Sequence, residues 1–227
     1  MALFQVSDAW KATFPDAHAG VLILRGAVNP AQPAELEGRK KELEEELHAR
    51  FSGLDRAALE KLPVLEAYGS YYRRFKKTYH VQLQLESLLF KEKPIPSVAA
   101  LVEAMFMAEM NNLLLTAGHD LDSVRPPVTL DVAHGTESYM LLRGVLQTPK
   151  AGDMMIVDSE GIISNIIYGP DQRTQIRPQT TNVIFTVYAP AGIPIEAIEK
   201  HMMEIQQNVQ VVSPKARVEM LKVFDAG

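Results

Sequence analysis

A set of polar residues lies at the end of the most apolar helix that the sequence predicts. The segment 98–115 is apolar on several sides, which is typical of a helix buried in the centre of a domain. Its last two turns nevertheless carry Glu109, Asn111 and Asn112. Buried amides and carboxylates are costly unless they are paired, so two interpretations stay open. The asparagines satisfy nearby backbone or face solvent, or one of them points into a pocket at a sheet face, close to His119.

Two polar loops further along the chain carry other candidates. Glu137 lies in the turn Gly135–Tyr139, and Arg173 lies in the loop Tyr168–Thr174, which is followed by Thr180–Asn182. A single glutamate at a turn is usually solvated. A polar loop with an arginine and hydroxyl groups forms the rim of a pocket or an ordinary long hairpin, and the sequence leaves both interpretations open.

The densest basic and aromatic stretch covers residues 71–80. In a helix its cations share one face and its rings the opposite face: Arg73, Lys76 and Lys77 against Tyr72, Phe75 and Tyr79. One interpretation places the rings in the core and the cations in water. The other is an RNA contact, because cations beside aromatic rings can hold a phosphate and stack a base. The candidate RNA-binding residues are Arg73, Arg74, Lys76 and Lys77.

Several kinds of catalytic site are absent from the sequence. There is no cysteine, which excludes disulfides, zinc–cysteine sites, iron–sulfur clusters and thiol nucleophiles. The sequence contains no P-loop, Gly-rich dinucleotide turn, nucleophile elbow or HExxH motif. His119, Asp120 and Asp122, with Asp131 and His134 nearby, form a metal site in principle, but aspartate after a helix is common turn chemistry. We therefore expect no metal and no cofactor.

The charge balance limits the class of partner. The 227 residues include 23 Lys and Arg against 28 Asp and Glu, for a net charge of −5. This balance argues against a general nucleic-acid binder, which is usually strongly basic, but it permits a local basic patch. No stretch approaches the roughly 20 apolar residues that a membrane-spanning helix needs, and the segment 1–5 has no secretory signal character. Together with the lack of cysteine, these features predict a cytoplasmic protein.

The elements that must position these residues follow from the hydrophobic periodicity. Helices are predicted at 34–51, at 55–59, from Pro63, around 83–89, at 98–115 with Gly118 ending it, and at 194–206. Strands are predicted at 21–24, 128–132, 139–142, 153–157, 161–168, 182–188 and 209–212. We therefore predict an α+β fold, with helices packed on a mostly antiparallel sheet. Residues 1–64 form an N-terminal extension and residues 65–227 the main domain, together in one compact unit.

A series of motifs follows in one order along residues 65–212. It consists of Tyr72–Phe75, the Pro96 linker, Asn111–Leu113 leading to Gly118, Asp120–Asp122, Gly135–Glu137, Gly152–Asp158, Tyr168–Arg173, and Thr181–Val183 leading to Tyr188–Pro190. In this order and spacing the chain resembles the B3/B4 domain. That domain forms the editing region of the bacterial phenylalanyl-tRNA synthetase β chain and also occurs as a free-standing protein. The chain has no synthetase catalytic core, so it resembles the free-standing form.

The resemblance implies an editing activity, because the domain hydrolyses tyrosine wrongly attached to tRNA in the synthetase. It implies that Asn111 and backbone amides orient the ester carbonyl, while His119 or Glu137 orients the attacking water. Where the family has a glutamate that reads the tyrosine hydroxyl, this chain has Thr186. The expected ligand therefore lacks a phenol or is read by another residue. The catalytic candidates are Asn111, His119 and Glu137, and the substrate-binding candidates are Tyr168, Arg173, Thr181 and Thr186.

Three functions from different classes stay open. The first is a trans-editing hydrolase or binder whose partner is tRNA or aminoacyl-tRNA. The second is a non-catalytic pocket for an amino-acid-like metabolite, which the acidic charge and the missing glutamate favour. The third is an interaction domain that uses Leu36, Leu43 and Leu47 of its N-terminal helix as a partner surface. A fold alone cannot decide between them.

Overall fold

The structure is a computed structural model that describes residues 3–226. Apolar residues at the periods of a helix and of a strand form seven helices and eleven strands in this part of the chain. The helices are α1 (Asp8–Thr13), α2 (Ala34–Arg50), α3 (Arg56–Leu59), α4 (Pro63–Arg73), α5 (His80–Lys91), α6 (Ala100–Asn112) and α7 (Ile195–Val212). The strands are β1 (Phe4–Val6), β2 (His18–Arg25), β3 (Leu115–Asp120), β4 (Val128–Val132), β5 (Tyr139–Met140), β6 (Leu146–Gln147), β7 (Met154–Asp158), β8 (Gly161–Asn165), β9 (Gly169–Pro170), β10 (Asn182–Ala189) and β11 (Arg217–Phe224).

The central sheet is antiparallel and has the strand order β11-β2-β10-β3. β10 pairs with β2 along its whole length and with β3 over Val183–Tyr188. Residues 183–189 are all buried, because both faces of this strand are covered, and a continuous apolar run is the pattern that such a strand requires. β3 is the edge strand of this sheet, which becomes important for the site.

The second sheet has the order β1-β4-β7-β8-β9, in which only β1 and β4 are parallel. β5 and β6 form a separate two-stranded hairpin. The two larger sheets share one hydrophobic core, and a hydrogen bond of 2.6 Å between the hydroxyls of Ser164 in β8 and Tyr188 in β10 joins them. The predicted α+β class with a mostly antiparallel sheet is therefore confirmed.

The helix α4 and the turn after it tie the two sheets together through tyrosine hydroxyls. The Tyr68 hydroxyl donates to the carbonyl of Tyr188 and accepts the N–H of Leu115 at 3.0 Å, so it bridges the end of the β3–β10 ladder. The Tyr72 hydroxyl donates to the carbonyl of Ile166 at 2.6 Å, next to β8. Tyr79 stacks on Tyr68 with ring centres 4.2 Å apart. These rings are core residues with satisfied hydroxyl groups.

The stretch 71–80 does not form one helix. α4 ends at Arg73, and α5 begins only at His80. Lys76 in the intervening turn has a φ of 57°, which a helix does not allow. The interpretation with buried rings and solvated cations matches the structure, because Tyr72, Phe75 and Tyr79 are buried while the cations of the stretch are exposed. The prediction that the cations share one face of a helix is wrong.

The apolar helix is shorter than its sequence predicts. α6 ends at Asn112, where Leu113 adopts the left-handed conformation with a φ of 61°. Residues 115–120 form β3, so Gly118 lies in a strand and does not end the helix. The leucines after Asn112 fit a buried helix or a buried strand equally well. Residues 115–120 form a strand because they pair with β10, which is distant in sequence.

Three further differences concern the chain ends. The last helix continues to Val212, so the predicted strand at 209–212 is wrong, and β1 and β11 were not predicted. β2, from the predicted N-terminal extension, lies between β10 and β11 in the central sheet. The boundary at residue 64 stays a prediction. No helix within residues 3–226 has the length and apolar character needed to cross a bilayer.

Close packing of α7 on β2 depends on a glycine. A Cβ atom at Gly20 would lie 2.6 Å from Cγ2 of Ile198 and 2.9 Å from Sδ of Met202, both on α7. Both contacts are shorter than van der Waals distance, so the helix can only approach the strand this closely when position 20 has no side chain.

We predict that Gly20→Ala lowers the free energy of unfolding by about 1–3 kcal/mol, because the added methyl group overpacks this contact. Gly38→Ala is the matched control, since a Cβ at Gly38 in α2 has nothing within 4 Å. The control should stabilise the protein by about 0.5–1 kcal/mol through helix propensity. Urea unfolding curves measure both effects. Equal stability of Gly20→Ala and the wild type would contradict this packing.

Candidate functional site

A cavity of about 330 Å³ lies where the edges of the two sheets meet. β3 forms one side and β9 the other, and α5 and α6 also contribute to its wall. Most lining side chains are apolar: Val102, Met105, Phe106, Leu115, Leu142, Ile166 and Ile176. The polar residues in the wall are His80, Gln84, Glu109, Thr116, Asn165, Gln175 and Tyr188, of which Thr116 has its hydroxyl bound to His201. An apolar cavity with a small number of converging polar groups is typical of a small-molecule site.

The outer edge of β3 directs backbone groups into this cavity. The N–H of Thr116 donates to Oε1 of Glu109 at 2.7 Å, and the N–H of Asp120 donates to the carbonyl of Thr174 at 2.8 Å. Neither partner belongs to β10. Because backbone groups alternate in direction along a strand, Gly118 between them also directs its N–H and C=O away from β10. Gly118 lines the cavity, so it offers a ligand both a donor and an acceptor.

Glu109 is the one acidic residue in the cavity wall. It is 2% exposed, and burial raises its pKa to about 8, although the N–H of Thr116 acts in the opposite direction. The carboxyl group is therefore mostly protonated at neutral pH. One oxygen accepts from Thr116, and the protonated group can donate a hydrogen bond to a ligand.

His80 has the opposite character. Its Nδ1 lies 3.1 Å from the Tyr72 hydroxyl, and that hydroxyl donates its own proton to the carbonyl of Ile166. The imidazole must therefore donate from Nδ1, which leaves Nε2 as an acceptor. Burial lowers the pKa of His80 to about 4, so the ring is neutral at pH 7. Glu109 and His80 thus supply one donor and one acceptor without a net charge.

Asn111 does not point into this cavity. Its Nδ2 donates to Glu204 of α7 at 2.8 Å, and its Oδ1 accepts from Arg50 at 2.7 Å. It lines a separate groove formed by α2, α6 and α7. The expected placement at a sheet face is wrong, because position 111 lies about 200° around the helix from Glu109. A catalytic role for Asn111 stays a prediction.

His119 and Thr186 lie inside the core and not on the cavity wall. Nδ1 of His119 donates to Oγ1 of Thr174 at 2.8 Å, and the Thr174 hydroxyl donates to Asp171. Burial lowers the pKa of His119 to about 3, so this ring is also neutral. The Thr186 hydroxyl donates to the carbonyl of Ala117 at 3.3 Å. The Thr186 hydroxyl and Nδ1 of His119 are committed to partners of the fold, whereas Nε2 of His119 is buried without a hydrogen-bond partner among residues 3–226.

Glu137 serves its own turn, and Thr181 contacts the segment after β2 through its backbone. The Glu137 carboxylate accepts the backbone N–H groups of His134, Gly135 and Thr136 at 2.9–3.1 Å. Burial acts to raise its pKa, but these donors outweigh it and hold the pKa below the ordinary value. Thr181 is exposed, and its carbonyl accepts the N–H of Ala27 at 2.9 Å. The structure does not bring Asn111, His119 and Glu137 together.

Arg173 lies in a different groove from the cavity. It donates to Asp158 at 2.7 Å and to the carbonyl of Ser123 at 3.0 Å, and it forms an ion pair with Glu160 at 3.4 Å.

Residues 3–226 contain no group of three or more His, Asp or Glu side chains that could hold a metal ion.

The predicted RNA-binding residues separate into two kinds. Arg74 lies 5.4–5.6 Å from the centres of three aromatic rings and Arg73 donates to Ser70, whereas Lys76 is simply exposed. Lys77 lies 5.7 Å from the centre of the Tyr168 ring. The structure therefore brings together one predicted RNA-binding residue and one predicted substrate-binding residue, beside the cavity.

The predicted site residues include Asn111 but not Glu109. Helical spacing contained the missing signal, because Val102, Met105, Phe106 and Glu109 follow at i, i+3, i+4 and i+7 and share one face. All four line the cavity. No comparable signal marks His80, since it comes from another helix.

The B3/4 domain family matches residues 64–210. Among solved structures, the chain is similar to an N-terminal fragment of the phenylalanyl-tRNA synthetase β-subunit from Pyrococcus horikoshii, with a TM-score of 0.50 and 13% identity. The similarity covers 95% of this chain and 49% of that fragment, so this chain spans about half its length. At this identity the likeness concerns the fold alone. No curated protein matches the sequence.

We predict that Glu109 makes the protein less stable as the pH rises from about 5 to 8. The ordinary pKa of 4.5 applies in the unfolded chain, whereas the folded pKa is about 8. In this interval the folded state holds a proton that the unfolded state has released, so the free energy of unfolding falls by up to about 1.4 kcal/mol per pH unit.

Glu109→Gln tests this effect, since its amide oxygen can still accept from Thr116 and it does not titrate. The unfolding free energies of variant and wild type are measured by urea denaturation from pH 5 to pH 8. The wild type should lose stability relative to the variant as the pH rises. Other titrating groups are common to both proteins and cancel in the difference. Parallel curves would show that Glu109 is ionised in the folded state.

Proposed function

The chain belongs to the B3/4 domain family, and from this premise we propose that its cavity binds the aminoacyl end of a charged tRNA and hydrolyses the ester. This membership confirms the resemblance drawn from the ordered motifs. The observation that carries the proposal is that Glu109 and His80 line one mostly apolar cavity, where burial favours the neutral form of each side chain. tRNA is the proposed carrier because the solved structure with a similar fold is a fragment of a tRNA synthetase subunit. The proposal includes a cytoplasmic location, because the proposed substrate is a tRNA.

The cavity suits an apolar amino-acid side chain. Its volume of about 330 Å³ lies within the range of about 300–1,000 Å³ that is usual for ligand pockets. The cavity wall, which includes Met105, Phe106 and Ile176, offers no charged partner, since Glu109 is mostly neutral at pH 7. A lysine or arginine side chain would be desolvated there without compensation. The proposed substrate therefore carries an apolar amino acid.

The proposed reaction uses positioning and polar stabilisation. The ester carbonyl oxygen accepts hydrogen bonds from the Glu109 carboxyl group and the Gly118 N–H, which stabilise the negative charge that develops there. Nε2 of His80 accepts from a water molecule and orients it. The water oxygen bonds to the carbonyl carbon and releases a proton, the bond to the ribose oxygen breaks, and the ribose oxygen takes up that proton. The products are a free amino acid and an uncharged tRNA.

A second candidate is a binding site for a free amino-acid-like metabolite without catalysis. Two observations favour it: the net charge of −5 and the pKa of about 4 at His80, which makes this imidazole a weak base. A thermal-shift screen distinguishes the candidates. Stabilisation by a free amino acid, together with no deacylation of any charged tRNA, would favour the metabolite pocket.

We predict a specific pH profile for deacylation of a panel of mischarged tRNAs. After subtraction of the uncatalysed rate, the wild-type rate should fall about tenfold between pH 7 and pH 9, because ionised Glu109 cannot donate and repels the developing oxyanion. Glu109→Gln retains an amide donor, so its rate should not show this fall. No release above buffer with any amino acid would contradict the enzymatic proposal.

Asn111→Ala distinguishes the cavity from the assignment based on sequence. The cavity account predicts an unchanged rate constant, because Asn111 bonds to Arg50 and Glu204 outside the cavity. The sequence-based assignment predicts a fall of about a hundredfold, the usual effect of removing a group that stabilises an oxyanion. Single-turnover deacylation, with the unfolding midpoint as a check on folding, measures the difference.

A further inference from the structure

Another groove, of about 480 Å³, opens beside the cavity. It lies between the turn after α4 and the β5–β6 hairpin. Leu142 and Pro170 line both the groove and the cavity, so the two are adjacent. The remaining groups of the groove include two cations, an amide and a ring: Lys77, Arg143, Gln147 and Tyr168.

The groove lies beside two basic stretches of the chain. Segments 67–82 and 139–152 contain six lysines and arginines and no acidic residue, although the whole chain has a net charge of −5. Nζ of Lys150 donates to the carbonyl of Phe75 at 3.1 Å, which joins the two segments into one surface. A local positive field of this kind attracts polyanions despite an acidic whole.

The hairpin adds apolar surface to these charges. Four of its side chains are 41–64% exposed: Met140, Leu142, Val145 and Leu146. Across the groove, the Tyr168 ring lies next to the Lys77 ammonium group at 5.7 Å. A positive groove with an aromatic ring and neighbouring apolar groups provides what single-stranded nucleic acid needs, since phosphates require cations and unpaired bases require flat apolar surfaces. An acidic peptide would need only the cations.

We propose that this groove binds single-stranded RNA, with a phosphate between Lys77 and Arg143 and a base against Tyr168 and Leu142. The proposal rests on the proposed function in one respect, the direction of the strand. The 3′ end leads past Leu142 and Pro170, so that the acyl group it carries enters the cavity. Arg143 and the hairpin are thereby assigned a role that the motifs of the sequence did not indicate.

Fluorescence anisotropy with uncharged tRNA and with a single-stranded RNA of about ten nucleotides tests the groove without any acyl group. We expect the wild type to bind both, with affinity falling as salt rises from about 50 to 200 mM. Lys77→Glu combined with Arg143→Glu should weaken binding at least tenfold and reduce the salt slope by about 0.7 for each lost phosphate contact. Arg143→Glu alone, on an exposed hairpin, should show an intermediate loss.

The matched control reverses two exposed lysines outside the groove, Lys41→Glu with Lys215→Glu, which changes the net charge by the same amount. The control should bind RNA as the wild type does, apart from a small uniform loss. No RNA binding by the wild type at low salt, an equal loss in both double variants, or preferential binding of an acidic peptide would overturn the proposal.

Failure of the groove and failure of the proposed function give different results. If both hold, Lys77→Glu with Arg143→Glu raises KM for aminoacyl-tRNA at least tenfold more than KM for a small amino-acid ester, while Glu109→Gln binds uncharged RNA with the affinity of the wild type. If the wild type binds RNA through these residues but deacylates nothing, the groove stands and the hydrolase fails. If the charge reversal does not affect hydrolysis of aminoacyl-tRNA, the hydrolase stands and the groove fails.

Discussion

The site depends on one constraint, which is that the outer backbone edge of β3 must find partners outside its own sheet. Buried N–H and C=O groups are costly when they remain unpaired, and an exposed strand edge also invites unwanted pairing. Glu109 satisfies the N–H of Thr116, and the carbonyl of Thr174 satisfies Asp120. Between these two bonds β9 approaches without pairing along the edge, because it pairs with β8. The space left at Gly118 opens into the cavity. The gap between β3 and β9 therefore accounts both for the cavity and for the unpaired N–H and C=O of Gly118.

The aromatic residues around α4 position this edge and also prepare the site. The Tyr68 hydroxyl bridges Leu115 and Tyr188 at the end of the β3–β10 ladder. Tyr72 bonds to the carbonyl of Ile166 and thereby determines which nitrogen of His80 carries the proton. A neutral imidazole and a protonated carboxyl group are the forms that an apolar cavity favours, since burial disfavours both charged forms. Burial of Glu109 lowers stability at alkaline pH, and such a cost at a cavity wall is typical of a functional position.

Much of the fold could be predicted from the sequence, but the arrangement of the site could not. The continuous apolar run of β10 is a local signal, and the structure contains this strand. The leucines after Asn112 carry no local signal that separates helix from strand, so the boundary that creates β3 was missed. The helical face shared by Met105 and Glu109 was readable and pointed to Glu109 over Asn111. The approach of His80 to that face, and of Arg143 to Lys77, depends on long-range packing that one sequence does not encode in any short pattern.

The most direct test of the central claim is a crystal structure of the protein with a non-hydrolysable amide analogue of 3′-aminoacyl-adenosine that carries an apolar amino acid. The account predicts that the aminoacyl group lies in the cavity, with its carbonyl oxygen within hydrogen-bond distance, about 3 Å, of the Glu109 carboxyl group and the Gly118 N–H. An analogue bound instead in the groove beside Asn111 and Glu204 would contradict it. An empty cavity at saturating analogue would contradict it as well.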